Sequence, residues 1–381
     1  MSTSIVQPQI SQFLSRQIEA GDFPSAVYLV AEQGQAVFAE AIGHALRTEP
    51  QIAATVDTIY DLASLTKPLV TGLLCARRIE SGQLTLDSAV ANYLLEFDRA
   101  DRHMITIEQL LTHSSGIPAW RPLYAITGGN PDATVGVIAS EKLEYTPGSR
   151  VVYSDLGFIA LGLLLERLTG HRLAELAHQE IFQPLNLQHT WFNPAKALQT
   201  GIAACELGNA FERQTCAEMG IEFGSWRDQL IWGEVHDGNA SFLGGAAGHA
   251  GLFSTAAETL RLANQFIAGQ TELLKPETCR LFRTNFTVGL EEDRSIAWKL
   301  ASSQESSAGP DLPPESYGHA GFTGTSCWID GSKQRVFILL TNRTHARPLP
   351  FANINETRRC FHSLAVAALT EQNQPATDKH G

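Results

Sequence analysis

The sequence holds no long Pro-, Ser- or Gly-rich linker, no Lys/Arg block longer than a pair, and no apolar run near the roughly 18 residues of a membrane span. Without a linker, 381 residues of 44% hydrophobic content are expected to form one compact unit of two lobes. Without a basic block, and with a net charge of −12, a nucleic-acid or anionic-membrane surface is excluded and a small-molecule partner is expected. The six cysteines, Cys75, Cys205, Cys216, Cys279, Cys327 and Cys360, lack the short paired spacing of a zinc or redox motif, so free buried thiols are expected. No His-Glu-x-x-His run, Gly-x-Ser-x-Gly elbow, Gly-x-x-x-x-Gly-Lys loop or Gly-x-Gly-x-x-Gly turn occurs. That leaves no metal site, no α/β-hydrolase nucleophile and no nucleotide or other cofactor to expect. The N-terminus lacks a basic segment followed by an apolar one; Ile10, Phe13, Leu14 and Ile18 are spaced for a first helix instead. A cytoplasmic chain is the expectation, or a periplasmic one if an upstream signal was trimmed.

What is present begins with Ser64-Leu65-Thr66-Lys67, heading an apolar helical run over residues 69–79. Residues i and i+3 share a helix face, so the hydroxyl and the amine can meet. A serine beside a lysine is a nucleophile beside a base, and a helix N-terminus adds positive potential where an oxyanion forms. A surface serine and a solvated lysine would account for the pair taken alone.

β-rich segments at 25–30 and 35–40 flank Ala31-Glu32-Gln33-Gly34, which predicts a hairpin. A second hairpin is predicted at 325–329 and 336–340 around Asp330-Gly331-Ser332-Lys333, followed by a helix over 355–369. Between them the pattern is mostly helical, with Thr106-Ile107-Glu108-Gln109 as a capping box and a helix over 156–168 ended by Gly170. The fold class read from this is α/β (α+β): an antiparallel sheet made by the two chain ends and flanked by helices, with a helical lobe inserted. The approximate lobes are 1–80 plus 245–381, and 81–244. A cleft between them is the natural site. The tetrapeptide Gly-His-Ala-Gly occurs at 248–251 and at 318–321 in different flanks and is read as a coincidence.

A Ser/Lys pair needs a second proton-handling group, because a free lysine has a pKa near about 10.4. Tyr153, in the turn-rich stretch ahead of the 156–168 helix, is the candidate: a phenolate beside a lysinium could take the serine proton and return it to the leaving group. A third stretch, Gly318-His319-Ala320-Gly321-Phe322, precedes the C-terminal hairpin, where small residues admit close substrate approach. The Phe322 and Ser64 N–H groups would form an oxyanion hole.

Ser64-Leu65-Thr66-Lys67, Tyr153-Ser154-Asp155 and His319-Ala320-Gly321, in that order, resemble the three active-site motifs of the serine β-lactamase and penicillin-binding-protein superfamily. The branch resembled is the class C group, with its β-lactamases, DD-peptidases, D-amino-acid amidases and family VIII esterases. Supporting stretches are 110–117, Pro147-Gly148, Gly244-Gly245 and 251–255, and the likeness spans roughly residues 20–370. The resemblance implies Ser64 as acyl-accepting nucleophile, Lys67 and Tyr153 as the proton-handling pair, and His319, Ala320, Gly321 and Phe322 as the substrate-binding strand. Two departures stand out: Asp155 where class C enzymes usually carry Asn to hold a substrate amide, and His319 where they usually carry Lys. The second removes a fixed cation or makes it pH-dependent.

His236-Asp237-Gly238-Asn239-Ala240 is read as either cleft lining or a loop brace, His249 as structural, and His113 as buried and satisfied. The function expected is a cofactor-free serine hydrolase that forms an acyl-enzyme on Ser64 and hydrolyses a small ester or amide. The alternatives are a β-lactamase or DD-peptidase and, from another class, a catalytically silent ligand-binding member.

Overall fold

The apolar segment from Ser25 onward becomes an interior strand of a seven-stranded antiparallel sheet in the computed structural model, which describes residues 5–372. Among the described residues ten strands occur: β1 (Ser25–Glu32), β2 (Gln35–Leu46), β3 (Ile52–Ala53), β4 (Tyr60–Asp61), β5 (Trp191–Phe192), β6 (Leu252–Ser254), β7 (Lys299–Leu300), β8 (Tyr317–Ala320), β9 (Ser326–Asp330) and β10 (Arg335–Thr341). The large sheet runs β3-β2-β1-β10-β9-β8-β7, so the strands from the two ends of the chain meet where β1 pairs with β10. A small sheet, β4-β6-β5, lies apart from it.

The period-two pattern of each central strand divides its side chains between two layers. Ala26, Tyr28, Val30, Trp328, Phe337 and Leu339 face one way, under Ile10 and Leu14 of the helix Pro8–Ala20 and Phe361, Ala365 and Leu369 of the helix Asn355–Gln372. Val27, Leu29, Ile329, Ile338 and Leu340 face the other way, into the larger core. That core continues without a break into the helical segment through Leu69, Leu73, Leu110, Phe158 and Leu161.

The first predicted hairpin is tighter than expected: the strands extend to Glu32 and from Gln35, and only Gln33 and Gly34 turn. Both have positive φ (54° and 77°), the geometry whose twist matches that of paired strands. The capping box at Thr106 and Gln109 forms with both hydrogen bonds present. The helix Asp155–Thr169 buries nine of its fifteen residues, so it is a core helix rather than a half-wet one. Ser154 caps its start, accepting from the Gly157 N–H, and Gly170 (φ 75°) ends it. Burial on nearly every side makes this helix a rigid mount for whatever stands at its N-terminus. All six thiols are free, five of them buried. Among the described residues no helix is long and apolar enough to cross a membrane, and no group of His, Cys, Asp and Glu is arranged to hold a metal ion.

Candidate active site

The chain leaves β4 into a tight turn at Ala63, whose φ of 48° is costly for a residue with a Cβ. Asp61 secures it: one carboxylate oxygen accepts the Ala63 N–H at 2.8 Å and the other accepts the His236 N–H at 2.8 Å. Ser64 follows in a 3-10 turn, and residues Lys67–Gly72 form one wide π-helical turn before the α-helix Leu73–Glu80 begins. The regular helix expected over 69–79 therefore starts late. Pro68 offers no N–H to the preceding turn, and such wide turns recur where a side chain must be re-aimed.

The lysine is re-aimed at the serine: Lys67 Nζ lies 3.0 Å from Ser64 Oγ. It also donates to Asp155 Oδ1 at 2.6 Å and to the His249 carbonyl at 3.0 Å, which uses all three of its hydrogens. The ammonium is wholly buried. Burial opposes its charge, but Asp155, with Tyr153 beside it, outweighs burial and holds Lys67 above the ordinary lysine range. Tyr153 stands over this group with its ring centroid 4.9 Å from Nζ. Burial raises its phenol above the usual value, against the pull of Lys67 and Ser64. The phenolate expected from the sequence is therefore not the resting form. Tyr153 rests as a phenol beside a lysinium, because the counter-charge comes from Asp155.

Tyr153 is held by the stretch 110–117. His113, itself at a positive φ of 59°, accepts the Val152 N–H on its carbonyl and the Ser154 N–H on Nδ1, both at 3.0 Å. Its ring lies 4.5 Å from that of Tyr153. His113 is buried as expected but not fully satisfied: Nε2 has no hydrogen-bond partner, and burial together with Arg294 and Lys67 keeps the ring neutral.

Ser64, Tyr153, Asp155, Ala320, Gly321 and Phe322 line one cavity of about 460 Å³, with Trp120 and Phe211 as further apolar wall. Gly321 must be glycine: a Cβ there would lie 2.6 Å from the Leu62 carbonyl oxygen. His319 departs from expectation. Its side chain lines a neighbouring cavity of about 170 Å³ with Arg294 and Lys299, and Tyr153 borders both spaces. Nδ1 donates to the Ala320 carbonyl at 3.0 Å. Burial, reinforced by Lys67 and Arg294, drives the ring well below the ordinary histidine range, so it supplies no cation.

His236 and Asp237 also line the main cavity, so the segment is wall and brace together. His236 Nε2 meets Glu206 at 2.8 Å, and Asp237 Oδ1 meets His249 Nε2 at 2.8 Å. Burial would raise the Asp237 carboxyl, but His249, the Ala240 N–H and Lys67 overcome it and hold Asp237 well below the usual range. His249 thus touches the site twice, by ring and by carbonyl. Asp61, Trp120, Phe211 and Glu212 carry no sequence motif, and nothing in their local pattern marks them as part of a site.

The beta-lactamase family profile matches residues 10–358. The chain belongs to the beta-lactamase family. A relative from Escherichia coli (strain K12), named "Putative D-alanyl-D-alanine carboxypeptidase", is 32% identical over 93% of this chain and 86% of its own length. Among solved structures, the fold is similar to that of EstCE1, "a hydrolase with promiscuous acyltransferase activity" (TM-score 0.73, 22% identity, 94% of this chain and 98% of that one). It is also similar to a class C beta-lactamase from Rhodobacter sphaeroides (TM-score 0.71, 19% identity, 95% and 100% covered) and to a penicillin-binding protein homologue from Caulobacter crescentus (TM-score 0.72, 21% identity, 96% and 99% covered).

In this serine hydrolase of the β-lactamase-related type, the two departures noted in the sequence, Asp155 and His319, are both placed by the fold. Asp155, expected beside a substrate amide, spends one carboxylate oxygen on Lys67, because it stands at the first position of a rigid helix aimed at the lysine. His319, where a fixed cation was expected to be lost or pH-dependent, is neutral and turned toward the smaller cavity.

Proposed function

We propose that this enzyme acylates Ser64 with a small ester or amide whose reacting end is uncharged, and hydrolyses the acyl-enzyme. The observation that carries this reading is the 3.0 Å contact of Lys67 Nζ with Ser64 Oγ inside a cavity also lined by Tyr153. In the proposed step Lys67 passes one proton to the Asp155 carboxylate and takes the Ser64 proton in its place, as the Ser64 oxygen forms a bond to the substrate carbonyl carbon. The Tyr153–Lys67–Asp155 set goes from neutral to singly positive as the oxyanion forms. The stored proton then goes to the leaving group as its bond to carbon breaks. Water enters, gives its proton to the same set, attacks the acyl carbon and frees Ser64.

The preference for an uncharged reacting end follows from the walls. Trp120, Phe211 and Phe322 are apolar, Asp155 and Asp237 are acidic, and His319 is neutral beside the strand. A substrate carboxylate would find little to neutralise it. The test is a fluorophosphonate probe, which should label the parent and not Ser64→Ala, followed by turnover of p-nitrophenyl butyrate, D-amino-acid amides and nitrocefin on one sample. Hydrolysis of nitrocefin without hydrolysis of the ester would reject the ester reading.

A second reading, a DD-peptidase, is favoured by the 32% identity to the Escherichia coli relative bearing a carboxypeptidase name. Release of D-alanine from a D-alanyl-D-alanine peptide at a higher kcat/KM than any ester would establish it.

A further inference from the structure

Beside the acylation cavity lies a second chamber of about 280 Å³, lined by Tyr124, Phe223, Trp226, Arg227 and Gly238, and Glu212 borders both. Glu212 is 6% exposed. Its Oε1 accepts the Gly238 N–H at 2.7 Å, while Oε2, equally buried, takes no hydrogen bond of normal geometry, the nearby Tyr124 hydroxyl lying 3.5 Å from Cys216 Sγ. A buried carboxylate oxygen left without a donor is costly in a folded chain and calls for a ligand to complete it. The three aromatic rings pack as a corner: Tyr124 and Phe223 have centroids 4.8 Å apart at 54°, Phe223 and Trp226 5.1 Å apart at 87°, and Tyr124 and Trp226 5.8 Å apart at 74°. All three rings line the chamber, and the electron-rich face of an aromatic ring attracts a cation.

We infer that this chamber is a binding site for an organic ammonium group, held by the Glu212 carboxylate and the faces of Tyr124, Phe223 and Trp226. The two arginines nearby do not fill the role. Arg227 spends its guanidinium on Asn209 Oδ1 and the Val235 and His236 carbonyls, at 2.6–2.9 Å. Arg213 pairs with Asp228 at 3.0 Å and meets the Trp226 ring, 5.6 Å from its centroid, from outside the chamber lining. Because Glu212 borders the Ser64 cavity as well, the ammonium belongs to the substrate: an ester or amide that carries an amine, primary or quaternary, away from its reacting carbonyl. That assignment to substrate rests on the proposed function; occupancy of the chamber does not.

The groups facing Glu212 also set when the site is ready. Burial and Asp237 raise its carboxyl to about 7, while the Gly238 N–H, His236 and the Tyr124 hydroxyl pull it down. Cation affinity therefore weakens as pH falls below about 7 and the carboxylate takes a proton.

The experiment is a calorimetric titration of the full chain at pH 8 with tetramethylammonium and n-butylammonium chlorides, and with tert-butanol and n-butanol as neutral counterparts. The expected result is at least tenfold tighter binding of a cation than of its neutral counterpart, with that preference lost in Glu212→Gln and reduced in Trp226→Leu. Gln retains an acceptor for the Gly238 N–H, and a cooperative melt checks that each variant folds. Equal binding of cation and alcohol by the parent, or an unchanged preference in folded Glu212→Gln, would overturn the inference. Ester turnover by the same samples is read separately. Cation preference without Ser64-dependent turnover removes the proposed function and keeps the chamber; turnover without cation preference does the reverse.

Discussion

The tetrapeptide Gly-His-Ala-Gly occurs at 248–251 and at 318–321, and the two copies reach the same cavity by different physics. In the first copy, Gly248 packs so closely on the helix Asp155–Thr169 that an added Cβ would lie 2.9 Å from Gly162 N. There His249 meets a carboxylate with its ring and Lys67 with its carbonyl. In the second copy the residues run along β8, where His319 donates to its neighbour's carbonyl, lies 5.8 Å from the Tyr153 ring and is neutral. Ala250 and Ala320 both line the Ser64 cavity. The echo, read as coincidence from its flanks, marks two walls of one site. A histidine's charge, and whether its segment serves stability or catalysis, is decided by what packs against it and not by its neighbours in sequence.

The largest effect is expected from removing the group both walls surround. Tyr153→Phe is expected to lower kcat by about 10²–10⁴-fold with the melting temperature little changed; a variant within about twofold of the parent in steady-state assay would take the tyrosine out of the mechanism.

The two histidines should then separate by stability. His249→Ala leaves Asp237 buried without its partner and is expected to cost on the order of 3–5 kcal/mol near pH 7, whereas His319→Ala should cost less. The sign with pH is diagnostic. Asp237 is held below its ordinary value, so its contribution is present above the usual aspartate range and lost as pH falls below it. The deficit of His249→Ala should accordingly shrink on going from pH 7 to pH 3 in urea-unfolding experiments. A deficit constant with pH would mean that the ring packs and does not pair.

The two glycines should separate in the same way with smaller effects. Gly248→Ala should lower the melting temperature, while Gly321→Ala should lower kcat/KM by pushing the turn at Leu62 and Ala63 off its geometry. Equal melting temperatures for the two variants would argue against the division.

Asp155→Asn removes the charge that keeps Lys67 protonated. The acid limb of the pH–rate profile should move to lower pH, and an unmoved limb would release Asp155 from any hold on the lysine. Smallest is Glu212→Gln. Its carboxyl is raised, so the stability linked to its protonation is complete below the ordinary glutamate range and lost as pH rises through about 7. The variant should melt a few degrees higher than the parent at pH 8 and show no gain at pH 4.

Much of the fold was legible because its causes are local. The hairpin at Gln33-Gly34, the capping box at Thr106 and the helix stop at Gly170 each depend on residues within a turn of one another, and the Ser64–Lys67 pair lies within one as well. Where the local rule competed with packing, the expectation slipped. A regular helix after Ser64 gave way to a wide turn, and a satisfied His113 became a neutral ring with an unpartnered nitrogen against Tyr153.

What the sequence by itself determined is the list of reactive groups and the order of strands and helices that carries them, since spacing and propensity act over a few residues. Their charge was set by the folded arrangement. Lys67 is a lysinium because Asp155, 88 residues away, and the His249 carbonyl, 182 residues away, complete its shell. His319 is neutral because it is buried beside Lys67 and Arg294, and Glu212 sits between two cavities with a remote Gly238 N–H holding one of its oxygens. Electrostatics in a dry interior depends on distances of a few ångströms between groups far apart in the chain, and only folding sets those distances.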